Sequence, residues 1–426
     1  MRNSKVIFAL LAALLIVGMI PAAAQDEMTL VVWDNFTRDA EQEMIETLNA
    51  MFEEANPGVT VVREAYTTDD LGLLLPRELS AATGPDVTMI NQGLNNMAAL
   101  VEAGLLLPLN DYADEFDWWS RYGLGLHARN SVTADGAQFG SGDLYGVSNT
   151  AEVVAIFYNK RIFADLSLDI PTTFEEFEAA LATIAEADIT PITFGNLDAW
   201  PGIHTYGAIN HAYSDLADID DFMYRNEGGT FAYEGAVTSA EQVVAWAEAG
   251  YFSNGFEGLD NDNGALVEFT SGESAMWLAG SWNSGSIIDV MGEEAVGFFL
   301  MPSPLGEEVA PTIGGVGLAY GIGANSENPD LAAAYIDLVT SPEAAALLFE
   351  QGFLPAVAVD ESLLTEGTLT ADLVNAWNTI SAADKVGHYF DWTVSDVGAF
   401  IQELLAGVVT PEEFVATVDE AYQAGQ

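Results

Sequence analysis

The chain contains no cysteine in its 426 residues. A disulfide framework, a thiolate metal site and a thiol nucleophile are therefore all excluded, and a protein of this length must be held by ordinary apolar cores. Basic residues are almost as scarce: 11 Lys and Arg stand against 65 Asp and Glu, a formal net charge of −54. Such a field repels nucleic acid and anionic lipid, and no basic stripe offsets it, so neither is expected as a partner. The acids are scattered among Ala and Gly, which reads as a solvated surface suited to high salt or acid surroundings. With 50% hydrophobic residues the chain is no disordered acidic tail. Long apolar runs are missing as well, except for Val6 to Ile20, which is short for a membrane span of roughly 20 residues.

That one run has the features of a secretory signal. Arg2 and Lys5 precede it, and Ala22-Ala23-Ala24 supplies small residues at the cleavage positions, so residues 1–24 are expected to be removed and Gln25 to become the first residue. An exported, soluble protein follows. Without a cysteine after the cleavage point, a lipid tether at the N-terminus is not expected. The roughly 400 residues that remain exceed what one hydrophobic core serves, which favours two domains.

Strand and helix signals alternate from the start of this region. "MTLVVWDNF" is a β-rich run, and the following segment carries Met44, Ile45, Leu48, Met51 and Phe52 at helical spacing until Asn56-Pro57-Gly58 stops it. "VTVVREAY", "LGLLLPRELSAATG" and "PDVTMIN" continue a β-α-β-α-β opening, the pattern of a mostly parallel sheet with helices on both faces. A second α/β unit begins near residue 155 with "AEVVAIFYN", a helix from Thr172 to Ala187 and "ITPITFGN". "GGVGLAYGIGANS" reads as one strand, two helices meet at Ser341-Pro342, and a last helix has Pro411 near its start. With no flexible linker, two lobes joined by crossing strands are expected. In a mostly parallel sheet the ligand crevice lies beyond the carboxyl ends of the strands, here the loops after "VVW", "DVTMI" and "PITF".

Enzyme and metal signatures are absent. There is no G-x-S-x-G, H-E-x-x-H or P-loop spacing, and His127, His204, His211 and His388 form no ligand pattern beyond a loose pair at 204 and 211. "LDNDNGALVEFT" imitates a calcium loop, but counting back from Gly264 puts Leu259 at the first ligand position and Thr270 at the bidentate Glu position. No cofactor and no metal is expected.

The stretches "LVVWDNF", "NPGVTV", "GPDVTMIN", "LLLPLNDYAD", "GDLYGVSNTAEVVAIFYNKRIF", "FTSGESAMWLAGSWNSG" and "GGVGLAYGIGANSENPDLAAAYIDLVTSPEAAALLFEQGFLPA" together resemble the extracellular solute-binding proteins of ABC importers. The likeness is to sugar-binding family 1, which includes maltose-binding proteins, and it runs through nearly all of the mature chain. It implies an α/β, two-lobe periplasmic-binding-protein fold (type II-like), each lobe a mostly parallel sheet flanked by helices and joined by hinge strands. By analogy the N-terminal lobe comprises 25–154 and 320–358, and the C-terminal lobe 155–319 and 359–426. The crossings are expected near Glu152 to Ile156, near Gly317 to Gly321 and after "GFLPAVAV". The implied function is capture of a mono- or oligosaccharide in the interlobe cleft and delivery to ABC permease subunits in the membrane, with the protein acting as a monomer.

A neutral sugar offers hydroxyls that donate and accept and C–H faces that stack on aromatic rings, so candidates are flat aromatics, carboxylates and amides. Trp282 leads, because it matches the family's "G-x-W" and sits among Gly280, Ser281, Asn283 and Ser284, whereas Trp277 inside the apolar run reads as core. Glu152 matches a ligand-contacting carboxylate of maltose binders. Tyr158 follows in the same motif, although its packing role beneath the cleft is equally open. Asn35 and Phe36 end the first strand; Asn91 and Gln92 follow the third; Trp200 follows "TPITF". Gly314 and Gly315 match a glycine pair that lets backbone approach the ligand, with close packing as the other reading. Asp391 and Trp392 fall near the family's last aromatic contact, and Asp86 reads as structural. The nearest rival keeps the fold and binds a polyamine or other non-sugar solute, for which only Glu152 and Asp391 stand out as cleft acids. Anionic solutes fit poorly, since Arg38 is the one cation near the early loops. A secreted glycoside hydrolase would need two carboxyls roughly 5 to 9.5 Å apart, and a surface carbohydrate module would bind without hinge closure.

Overall fold

The structure is a computed structural model that describes residues 28–81, 83–358 and 361–425; the expected signal segment and Gln25 lie outside the described residues. β1 (Met28–Asp34) leads into the helix Asp39–Ala55, β2 (Val59–Ala65) into the helix Thr68–Glu78, and β3 (Val87–Ile90) follows. The helical spacing read from the first of these segments is real: Met44, Ile45, Leu48 and Phe52 are buried on one face, and Met51 packs at its edge. β1 runs parallel to both β2 and β3. After a small ribbon of β4 (Ser131–Val132) and β5 (Asp143–Leu144) come β6 (Val147–Ser148), β7 (Ala151–Asn159), β8 (Thr190–Thr193), β9 (Ser274–Gly280) and β10 (Val296–Phe299). β11 (Thr312–Val316), β12 (Ala319–Ile322) and β13 (Val386–Gly387) complete the strands.

Two sheets result. The first has the order β2-β1-β3-β12-β6, and the second β13-β11-β7-β9-β8 with β10 beside β7. The first is parallel across β2-β1-β3 and antiparallel at β12. The second departs from the expected mostly parallel pattern. Its long central strand β7 is antiparallel to β9, β10 and β11, and only β8 with β9 and β11 with β13 run parallel. The helix expected over 172–187 spans Phe174–Glu186, and Thr173 caps it by accepting from Glu176 N while the Glu176 carboxylate takes the Thr173 N–H. Ser341 separates Pro329–Val339 from Pro342–Glu350 and caps the second helix. Pro411 is the first residue of the closing helix Pro411–Ala424. Among the described residues no single helix is long and apolar enough to cross a membrane.

The strand expected over "GGVGLAYGIGANS" is two strands in two sheets. β11 belongs to the second and β12 to the first, so the chain crosses between lobes at Gly317-Leu318. Another crossing lies between β6 and β7, at Asn149-Thr150, a few residues before the expected Glu152 to Ile156, and a third between the helix Pro342–Glu350, packed on Asp39–Ala55, and the helix Leu369–Ala382, packed on β7 and β10. The first two crossings lie side by side, with Gly317 N donating to Thr150 O at 2.9 Å. A Cβ built on Gly317 would lie 2.2 Å from Thr150 Oγ1 and 2.6 Å from Glu152 Oε1, so only glycine lets these segments approach so closely. Gly317→Ala is therefore expected to lower stability by about 1–3 kcal/mol, read as a shift in the chemical denaturation midpoint. Gly258→Ala, where an added methyl meets nothing within 4 Å, should change it by no more than about 0.5 kcal/mol.

Candidate functional site

The carboxyl ends of the strands from both lobes converge on one cavity. From the first lobe come Asn35 after β1, Thr67, Thr68 and Asp69 after β2, and Asn91 after β3. From the second come Asp198, Trp200 and His204 after β8, Asp260, Asp262 and Asn263, Trp282 after β9, and Tyr389, Asp391 and Trp392 after β13. Glu152 and Leu318, at the crossings, complete the lining. The volume is about 470 Å³, within the range of roughly 300–1,000 Å³ usual for small-molecule sites. A smaller chamber of about 120 Å³ adjoins it; the two share Asn35, Glu152 and Trp282, and Phe36, Arg38 and Glu41 line the smaller one.

The second-lobe wall is aromatic. Trp282 stands on a short 3-10 turn, Ser281–Asn283, at the end of β9. Its ring lies back over the bare Cα of Gly280, where a Cβ would fall 2.0 Å from the indole. That glycine is what leaves room for the ring. His204 lies edge-on to Trp282 at 5.3 Å and to Tyr389 at 5.3 Å, with Trp200 at 5.0 Å from His204 and Trp392 at 5.2 Å from Tyr389. Trp277, by contrast, is 1% exposed and packs against Phe157 and Phe269, the core position read for it from the sequence.

The loop after β1 is fixed from below by a buried ion pair. Arg63 reaches both carboxylate oxygens of Asp34, at 2.5 and 2.6 Å, and donates to Phe36 O at 2.6 Å. Burial raises the Asp34 carboxyl above its ordinary value, and the guanidinium opposes that shift. Asn35 and the backbone of Phe36 are thereby presented at the cavity edge, while the Phe36 ring is buried against Phe353.

Besides Phe36, which lines only the smaller chamber, four candidates are absent from the lining of the larger cavity. Gln92 is 1% exposed, and its amide donates to Asn130 Oδ1 at 2.9 Å and Gly317 O at 2.7 Å; it braces the crossing. Tyr158 is core, packed against Phe163 and Phe299. Gly314 and Gly315 lie within β11, where a Cβ would strike Glu152 O at 2.5 Å and the Arg129 guanidinium at 2.4 Å respectively. They serve strand packing, the other reading open to them. Trp392 lines the cavity although only 2% exposed, with the Arg129 guanidinium 6.0 Å over its ring.

Residues the sequence reading left out are Thr67, Thr68, Asp69, Asp198, His204, Asp260, Asp262, Asn263, Leu318 and Tyr389. Applying the strand-end rule to "VTVVREAY" as well would have pointed to Thr67–Asp69, and Asp198 shares its loop with Trp200. Asp260 and Asp262 lie in the stretch that imitates a calcium loop, a likeness that does not point to a solute cavity. Among the described residues no group of His, Cys, Asp or Glu is arranged to hold a metal ion.

Burial dominates the charges here. It pushes the Glu152 carboxyl up to about 7, partly offset by the Tyr389 hydroxyl donating to Glu152 Oε2 at 3.1 Å. Burial also raises Asp391 to about 6, with Asp69 adding repulsion, and holds His204 down to about 3, so that imidazole is neutral. The raised Glu152 value means that the folded protein binds this proton more tightly than the unfolded chain. The stability it contributes is present below the ordinary value of 4.5 and is lost as pH rises through about 7. Relative to Glu152→Gln, the wild type should therefore lose stability between those pH values, by up to about 3 kcal/mol, and hold a constant difference above them. Denaturant midpoints of both proteins across that range check this.

The model for bacterial extracellular solute-binding proteins matches residues 47–399. The galactooligosaccharide-binding protein of Bacillus subtilis is 24% identical over 308 residues, 71% of this chain and 66% of that protein. The chain thus spans just under two thirds of that relative's length. The multiple sugar-binding protein of Streptococcus mutans is 24% identical over 336 residues, 76% of this chain and 74% of that protein. Among solved structures, a chitin oligosaccharide binding protein superposes with a TM-score of 0.79 at 23% identity, covering 94% of this chain and 99% of its own. A family match across most of the sequence agrees with two lobes that close on a cavity at their strand ends, and the chain belongs to the bacterial extracellular solute-binding protein family.

Proposed function

We propose that this protein is the solute receptor of an ABC importer for a carbohydrate, a mono- or oligosaccharide held between the lobes and delivered to permease subunits in the membrane. The observation that carries this reading is the aromatic wall of Trp200, Trp282 and Tyr389 facing amides and carboxylates across one cavity. Indole faces suit the C–H faces of a sugar ring, and carboxylates and amides suit its hydroxyls. Trp282 and Trp200 are the stacking candidates; Glu152, Asn35, Asn91 and Asp391 are the hydrogen-bonding ones. The relatives are named for sugar binding, which supports the same class of solute.

The mechanism is hinge closure. Solute touching both lobes favours the closed arrangement over the open one by its differential contacts, and the closed form is what the permease reads. The protein acts outside the cytoplasm, as a monomer, and releases its solute unchanged.

Calorimetry and tryptophan fluorescence across a broad sugar panel should give a saturable response, and solution scattering a smaller radius of gyration with the bound sugar. Trp282→Ala should weaken that sugar by about 2 kcal/mol, roughly 30-fold, while Trp277→Ala should lower stability instead, by about 3–5 kcal/mol. No saturable response to any sugar would overturn the carbohydrate reading. Shortened oligosaccharides after incubation would overturn the binding-only reading.

A further inference from the structure

Six of the 17 residues lining the larger cavity are acids: Asp69, Glu152, Asp198, Asp260, Asp262 and Asp391. None is Lys or Arg, and the one imidazole there is held neutral. Some of these carboxylates are already engaged. Asp260 caps the turn at Asn263, Asp262 pairs with Arg38 at 3.5 Å, and Glu152 accepts from Tyr389. Asp69, Asp198 and Asp391 have no ion pair and no side-chain hydrogen bond from another residue among the described residues.

These three come from opposite lobes. Asp69 opens the helix after β2 in the first, and Asp198 and Asp391 belong to the second. Burial is the main cause that raises the Asp69 and Asp391 carboxyls, and neighbouring acids add to it, Asp198, Asp70 and Asp262 at Asp69 and Asp69 at Asp391. Closing the lobes therefore gathers negative charge that a neutral solute leaves uncompensated. His204 is a separate sign of a missing ligand. It is 9% exposed, lines the same cavity, and has only aromatic neighbours and no hydrogen-bond partner among the described residues. Its ring nitrogens are not sealed off from the space, unlike those of His127, and stay open to whatever fills the cavity.

We propose that the solute is a carbohydrate carrying protonated amines, such as a glucosamine oligosaccharide, with its ammonium groups set among Asp69, Asp198 and Asp391 and its rings on the indoles. The proposal rests on the carbohydrate reading of the same cavity and narrows it. An ammonium between the lobes removes the repulsion that opposes closure, so charge and closure are coupled, and the exposed acids at the rim steer a cation inward.

Calorimetry at neutral pH would compare a β-1,4-linked glucosamine trimer, its N-acetylated counterpart, a neutral glucose trimer and spermidine, each at low and at high salt. The glucosamine trimer should bind at least about tenfold tighter than either neutral trimer, with an advantage that shrinks as salt rises. Asp69→Asn with Asp391→Asn should weaken the glucosamine trimer by about tenfold or more; if that variant does not fold, the wild-type panel and its salt dependence decide alone. Neutral trimers binding as tightly as the amine would overturn this inference and leave the carbohydrate reading standing. Spermidine binding as tightly as the glucosamine trimer would overturn the sugar component, and no binding by any of the four would overturn this inference while the broad sugar panel still decides the carbohydrate reading.

Discussion

The carbonyl of Gly317 holds the junction of the two lobes. It accepts from the Gln92 amide and from the Ser148 hydroxyl, both at 2.7 Å, while Asn130 links the two by accepting from Gln92 and donating to Ser148 at 3.1 Å. All of these groups are buried, so each depends on the others for its hydrogen bonds, and removing one partner leaves unsatisfied polar atoms at the crossing. The cavity is positioned by this network. Glu152 follows the crossing at Asn149-Thr150 by two residues and Leu318 follows Gly317 directly, so the part of the lining nearest the hinge is set by the junction.

A chain with 11 basic residues uses several of them inside the structure. Arg63 is closed on Asp34 beneath the first loop, Arg121 on Asp337, and Arg129 on the carbonyls of Gly314 and Val386. Arg129 is 4% exposed without a paired carboxylate among the described residues, and its charge is met by backbone oxygens and the face of Trp392. It reaches from the first lobe to two strands of the second, so it braces the hinge region from behind the cavity. Cations placed this way leave the cleft to its acids, and the electrostatics of the binding space follow from where the few arginines sit rather than from the total charge.

Much of the fold was legible in the sequence because helical and strand periodicities are local. Thr173, Ser341 and Pro411 mark helix starts by their own chemistry, and the two tryptophans of "AMWLAGSWNSG" separate by the residues beside them, Trp277 to the core and Trp282 over Gly280 to the cavity. Gln92, Tyr158 and the Gly314-Gly315 pair show the limit. An amide after a strand suits a hydroxyl or a distant backbone carbonyl equally well, and here the carbonyl of Gly317, 225 residues away, takes it. The break at Gly317-Leu318 was hidden for the same reason: one continuous apolar run serves two sheets, and only long-range pairing divides it. Asp260 and Asp262 were not legible as cavity acids, because their segment reads only as a failed calcium loop and folding alone brings it to the cavity.

Two polar contacts that span the cleft are individually weak, unlike the buried packing of Phe139 on Tyr224 and Trp392. Arg38 meets Asp262 at 3.5 Å with side chains 29% and 53% exposed, and an ion pair of that exposure contributes about 0–1 kcal/mol. Asn95 donates to Asp391 O at 3.4 Å, at the long limit of a hydrogen bond. Moving a two-state equilibrium from mostly open to mostly closed takes roughly 5 kcal/mol of differential binding, well beyond what these contacts supply against repulsion among Asp69, Asp198 and Asp391. On the function proposed above, the solute adds to these contacts through stacking on Trp282 and Trp200, hydrogen bonds to Asn35 and Asn91, and compensation of the cleft acids.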